Sequence, residues 1–103
     1  MVTEKRYALL VDGDNISHKY IDLILRELRS FGSVTIRRVY GDWTANSKKG
    51  WRDKLLENSL TPVQQYSYTT GKNSSDFALV IDAMDILYSN NVDGYVLASS
   101  DSD

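Results

Sequence analysis

Tyr7-Ala8-Leu9-Leu10-Val11-Asp12-Gly13-Asp14-Asn15 is an apolar run that ends in carboxylates, and its reading decides the fold. Such a short apolar segment followed by Gly has the pattern of a strand buried on both faces of a sheet. Near the other end of the sequence, Tyr95-Val96-Leu97-Ala98 repeats the arrangement and runs into Ser99-Ser100-Asp101-Ser102-Asp103. If the two strands lie parallel and adjacent, their acidic clusters meet at one end of a sheet. Like charges within a few ångströms oppose each other's ionisation, and hard divalent ions with oxygen ligands answer that problem. The pairing therefore points to a metal-dependent phosphoryl chemistry.

Between these strands the periodicity changes repeatedly. Asn15 or Ser17 can cap a helix running through Arg29, with Ile21, Ile24, Leu25 and Leu28 on one stripe, and Gly32 ends it. Val34 to Tyr40 alternates and closes with Gly41-Asp42-Trp43, a second strand. A helix is expected over Lys49 to Ser59 with Trp51, Leu55 and Leu56 inward. Pro62 to Tyr68 reads as a less apolar strand suited to an edge. Ser74 or Ser75 caps a long helix to Ser89, whose expected buried face is Phe77, Val80, Ile81, Met84, Leu87 and Tyr88. The last strand is Tyr95 to Ser99.

Strands and helices in strict alternation predict a three-layer α/β/α, Rossmann-like domain with a parallel sheet and right-handed crossovers. In the order 3-2-1-4 the first and fourth strands are neighbours, and ligands bind at their carboxyl ends. All 103 residues fit one domain. An α/β unit seldom stops at the last ligand of its fourth strand, so the sequence reads as an N-terminal fragment of a longer protein.

Composition narrows the class. Apolar residues at 42% allow a small soluble core, and Cys is absent, which removes disulfides and thiolate metal sites. Glu4, Lys5 and Arg6 precede a strand too short for a signal peptide or a membrane span. A cytoplasmic protein with no membrane partner is the expectation. The net charge of −2 advertises no basic field, although an acidic site can mask a basic rim in the sum.

Asp12, with Asp101 and Asp103, is the strongest candidate for metal-ligating and catalytic work. Asp76 falls in the first turn of the long helix, where an anion also serves the helix dipole. Asp14 makes an Asx turn or joins the metal site, and Asn15 caps a helix or binds phosphate. Asp82 lies six residues beyond Asp76 and, at about 100° per residue, faces another side, which suits a structural role. His18 is a lone helical histidine. Trp43, Lys48, Lys49 and Arg52 interleave cations with tryptophan, as in a groove that tracks a nucleic-acid backbone, and Lys72 sits ahead of Asp76. The bland alternative for this segment is a solvated helix start with Trp51 in the core.

Taken together, Val11-Asp12-Gly13-Asp14-Asn15, Gly71-Lys72-Asn73-Ser74-Ser75-Asp76 and Ser99-Ser100-Asp101-Ser102-Asp103 resemble the NYN domain. This is a PIN-like nuclease family, and the closest likeness is to bacterial members first grouped as a domain of unknown function. The resemblance implies strand order 3-2-1-4-5, with the fifth strand absent here, and Mg²⁺- or Mn²⁺-dependent ribonuclease activity. It implies that Asp12, Asp76, Asp101 and Asp103 form the acidic set, with Asn15 and Ser99 auxiliary to it. It also implies RNA as partner, with a C-terminal LOTUS-type RNA-binding domain in some members; a homodimer is left open. Two rival readings stand beside it. One is an RNA-binding or dimerisation module with a PIN-like fold and no catalysis. The other is a haloacid-dehalogenase-like phosphatase, since Asp12-x-Asp14 after a strand imitates that nucleophile pair, although Asn15 and Ile16 do not continue its motif.

Overall fold

The computed structural model describes residues 4–45, 48–65, 74–89 and 92–99, and for 74–78 the backbone alone. The elements are β1 (Arg6–Asp12), a 3-10 turn (His18–Tyr20), α1 (Ile21–Arg29), β2 (Ser33–Gly41), α2 (Trp51–Glu57), β3 (Thr61–Gln64), α3 (Ser74–Ser89) and β4 (Gly94–Ala98). Every strand pairing is parallel and the sheet runs β3-β2-β1-β4, the order read from the sequence.

β1 is the centre of the molecule because its side chains alternate between the two faces and both faces are covered. Leu9 and Val11 pack with Ile21, Leu25 and Leu28 of α1, with Val39, and with Trp51 of α2. Ala8 and Leu10 pack on the opposite face with Tyr40, Leu79 and Ile86. The α1 stripe is the one expected. The helix starts later than expected, however, because Ser17 caps the 3-10 turn instead, accepting from the Lys19 N–H.

Other expectations are corrected. Leu56 is 81% exposed. Trp51 and Leu55, four residues apart, share the inward stripe of short α2, and Leu56 is one step further round. The larger correction is α3. Leu79 and Ile86 are buried, whereas Val80, Ile81, Met84, Leu87 and Tyr88 are all at least half exposed. This helix is apolar nearly all round, so periodicity selects no face. Polar anchors select it instead. The Tyr40 hydroxyl donates to Asp82 Oδ2 at 2.6 Å, Arg38 Nη1 reaches the same oxygen at 3.3 Å, and the Tyr95 hydroxyl donates to the Ala83 carbonyl at 2.6 Å. Asp82 is structural, as read. Since Asp82 leans toward β2, the arc of Val80, Met84 and Leu87 lies on the opposite flank, the side of edge strand β4, where Leu97 is also exposed. Of the expected Pro62–Tyr68 strand, the described part is Thr61–Gln64; residues 66–70 and the Phe77 side chain lie outside the described residues.

Burial and then the Asp82 carboxylate push the Tyr40 phenol above its ordinary value of 10.0. A raised pKa means that the folded state keeps a proton the unfolded state releases, so this stabilisation is full below about pH 10 and falls as pH rises further. Tyr40→Phe should cost about 1–2 kcal/mol in denaturant unfolding at pH 7. The difference from the parent chain should shrink above about pH 10, and a gap that stays constant to pH 11 would count against the anchor.

Candidate functional site

The carboxyl edge of the sheet is built around Asp12. Alternation along β1 continues Ala8 and Leu10 to Asp12, so the carboxylate belongs to the face covered by α3. It is only 1% exposed, the one buried charged side chain among the described residues. Asn15 Nδ2 donates to Asp12 Oδ2 at 2.7 Å, and the Asp14 N–H donates to Oδ1 at 3.2 Å. The Ile16 N–H closes the turn on the Asp12 carbonyl at 2.8 Å. Gly13 then follows β2 for one more step, donating to the Tyr40 carbonyl at 2.7 Å. A Cβ there would stand 2.7 Å from Val39 Cγ1 and 3.0 Å from the Tyr40 oxygen, so only glycine fits.

Asp14 has different work. Its Oδ1 lies 2.6 Å from Lys48 Nζ and accepts from the Asp42 N–H at 3.3 Å. The Lys48 side chain is 9% exposed, so its charge is spent on this clasp rather than offered to solvent. The clasp passes over Gly41, where a Cβ would meet Asp14 Oδ1 at 2.9 Å and Lys48 Cε at 3.0 Å. It ties the turn after β1 to the loop after β2.

That second loop is itself ordered by Asp42. Its Oδ1 accepts from the Thr44 hydroxyl, the Thr44 N–H and Gln64 Nε2. These bonds, Thr44 first and Gln64 next, hold the Asp42 carboxyl below its usual value. Trp43 is pinned between them: its N–H donates to Gln64 Oε1 and its indole Nε1 to the Val63 carbonyl, both at 3.0 Å. The ring stands edge-on to Trp51 at 6.4 Å. Lys49 and Arg52 are exposed at the same loop and at the start of α2, and among the described residues neither pairs with a carboxylate.

Asp12, Asn15, Asp14 and Lys48 thus stand together, with Trp43, Lys49 and Arg52 alongside. Ser99 is exposed one residue beyond Ala98, the last residue of β4 to pair with β1, at Val11. Asp76 lies in the first turn of α3, which crosses from β3 back to β4 and so begins at this same edge. Lys72, Asp101 and Asp103 lie outside the described residues, as does the Asp76 side chain. Among the described residues no group of three or more His, Cys, Asp or Glu could hold a metal. Arg37 and Arg38 of β2 are engaged elsewhere: Arg37 donates to the Val34 and Asn58 carbonyls, and Arg38 pairs with Asp82. Sequence reasoning missed the Asp14–Lys48 clasp and the ordering role of Asp42 with Gln64, both of which depend on loops meeting across strands.

A depressed carboxyl pKa gives stability that is full above the unfolded value and lost as pH falls through the folded one. The Asp42 loop should therefore loosen below about pH 4. Trp43 fluorescence should report that loosening, and Asp42→Asn should remove the acid transition; an unchanged transition in the variant would sink the assignment.

Three comparisons bear on this edge. The family model described as the NYN domain matches residues 6–103. The uncharacterized protein MJ0482 of Methanocaldococcus jannaschii is 29% identical over 104 residues, which cover 97% of this chain and 40% of that protein. The chain thus spans about two fifths of that relative's length. No solved structure matches it. Among the described residues no helix is long and apolar enough to cross a membrane.

Proposed function

The chain belongs to the NYN domain family, a group of PIN-like nucleases, and from that premise we propose that it hydrolyses RNA phosphodiesters with a divalent ion at the carboxyl edge of β1 and β4. The observation that carries the reading is Asp12, a buried carboxylate held in place at the end of the central strand of such a fold. Strand-end positions on parallel sheets are where ligands bind.

The donor chemistry fits a hard cation. With no Cys and one His in the sequence, the available ligands at this edge are oxygens, as Mg²⁺ and Mn²⁺ require. Asp12, Asp76, Asp101 and Asp103 would hold the ion. Its contribution when bound is to activate water for attack and to neutralise charge that develops on the phosphoryl group. The protein's own part is positional. Asn15 and the Asp14 N–H fix the Asp12 carboxylate in one orientation, and Ser99, one residue past the Ala98–Val11 pair, would bring a further hydroxyl to this edge. Lys49 and Arg52 supply cations that draw the RNA backbone to this edge. No side-chain nucleophile is needed, and a 5′-phosphate product is expected.

Asp12→Asn preserves size but gives up one of two acceptor oxygens in use, so a loss of about 1–3 kcal/mol is expected, and cleavage is compared at a temperature where circular dichroism shows both proteins folded. Cleavage of a fluorescein-labelled single-stranded RNA in Mn²⁺ should fall at least about 100-fold, beyond what a hydrogen-bond partner of a metal ligand costs. Undiminished cleavage by a folded Asp12→Asn protein would reject the proposal.

A further inference from the structure

A cavity of about 290 Å³ opens beside the Asp12 edge, between the loop after β2, α2 and the start of β3. Trp43, Leu55 and Pro62 give it apolar walls, while Lys49 and Arg52 line it as cations. Lys48 also lines it, but its ammonium is taken by Asp14. The cavity thus combines an aromatic wall, aliphatic surfaces and charges without carboxylate partners among the described residues.

The same indole connects this cavity to the candidate catalytic edge. Trp43 Cη2 lies 3.8 Å from where a Cβ on Gly13 would sit, next in sequence to Asp12. One face of the Trp43 environment is therefore the turn that carries Asp12, and another is the cavity. The ring cannot drift, because its Nε1, its backbone N–H and its edge contact with Trp51 all fix it. A pre-set aromatic surface is what a stacking site requires, since no ordering is needed on binding.

Size and chemistry then select the occupant. The volume lies at the lower end of the roughly 300–1,000 Å³ of small-ligand sites, enough for one nucleobase and not for several. An inorganic anion or an acidic peptide would satisfy Lys49 and Arg52 but leave the apolar walls unused. A purely apolar ligand would leave the cations without partners. A nucleotide uses both, its base on the aromatic and aliphatic walls and its phosphate on Arg52 and Lys49.

We propose that this cavity is a nucleotide subsite, holding one base of single-stranded RNA whose strand also passes the Asp12 end of the sheet. Duplex RNA is excluded by this arrangement, because a paired and stacked base cannot enter a cavity of one-base size. The choice of RNA as the strand rests on the ribonuclease reading above. Binding in the cavity needs no metal ion, so the two readings fail separately.

The test is a titration of the chain with AMP, with UMP and with inorganic phosphate in EDTA, following the indole N–H signals of its two tryptophans. AMP and UMP should shift the Trp43 signal saturably, and phosphate at the same concentrations should not. Arg52→Ala, at an exposed position, should weaken AMP binding about tenfold without lowering the melting temperature. Ala45→Leu, which fills the cavity from a second side, should weaken it as well. Asp12→Asn should bind AMP as the parent does. A Trp43 signal that ignores both nucleotides, an equal response to phosphate alone, or full AMP affinity in both cavity variants would overturn the subsite. Retained RNA cleavage by Asp12→Asn would instead remove the ribonuclease reading and leave the cavity result standing.

Discussion

A carboxylate at 1% exposure is the constraint around which the rest of this fold is arranged. A buried polar side chain needs partners to replace the water it loses. Asn15 and the Asp14 N–H are among the donors to Asp12, and they reach it because the chain folds back on itself directly after β1. That turn forces Gly13 against Val39 and the Tyr40 carbonyl, where no side chain fits. It also carries Asp14 outward to Lys48, so the group buried in one residue organises the loop after the neighbouring strand. Local sequence, tight turn and long-range clasp are consequences of one buried group.

On the same face of the sheet, the Tyr40–Asp82–Arg38 cluster does for α3 what Asn15 does for Asp12. Asp82 accepts from both partners, and Arg38 and Tyr40 are two apart on one strand and so share a face. A helix with apolar residues on every side could settle on the sheet in several rotations with similar burial. A charged hydrogen-bond set has one good rotation, because leaving it unpaired costs more than exposing a leucine. The result is a helix with five large apolar residues at least half in solvent on one arc, from Val80 to Tyr88. An exposed patch of this kind exceeds what scattered surface apolars explain.

These two anchors explain why the fold was legible in the sequence and the packing less so. Order 3-2-1-4 follows from alternating elements, apolar run lengths and crossover handedness, none of which needs a specific contact. The α1 stripe was readable because its apolar residues occupy one side only. The α3 face was not readable, because selection there came from a contact 42 residues away in sequence between Tyr40 and Asp82. Asp12 stands out in the sequence by its place after a strand, and the structure buries it at that strand's end. The partner of Asp14 was not legible, since Asp-Gly-Asp-Asn looks the same whether the second aspartate caps a turn or grips a lysine across strands.

The basic residues show why net charge was a poor guide to partners. Lys48 is held by Asp14, Arg38 by Asp82, and Lys54 by Asp22 and Glu57. Arg37 spends its donors on the Val34 and Asn58 carbonyls. Cations already paired at short range contribute little field to a distant polyanion, because partner and charge cancel beyond a few ångströms and salt screens the remainder. Lys49 and Arg52 are different, since they have no such partners among the described residues and stand beside Trp43. A balance near neutrality therefore says nothing of where two cations without carboxylate partners among the described residues line one cavity with Trp43. Attraction of any polyanion would depend on such locally unpaired cations rather than on the net charge of −2.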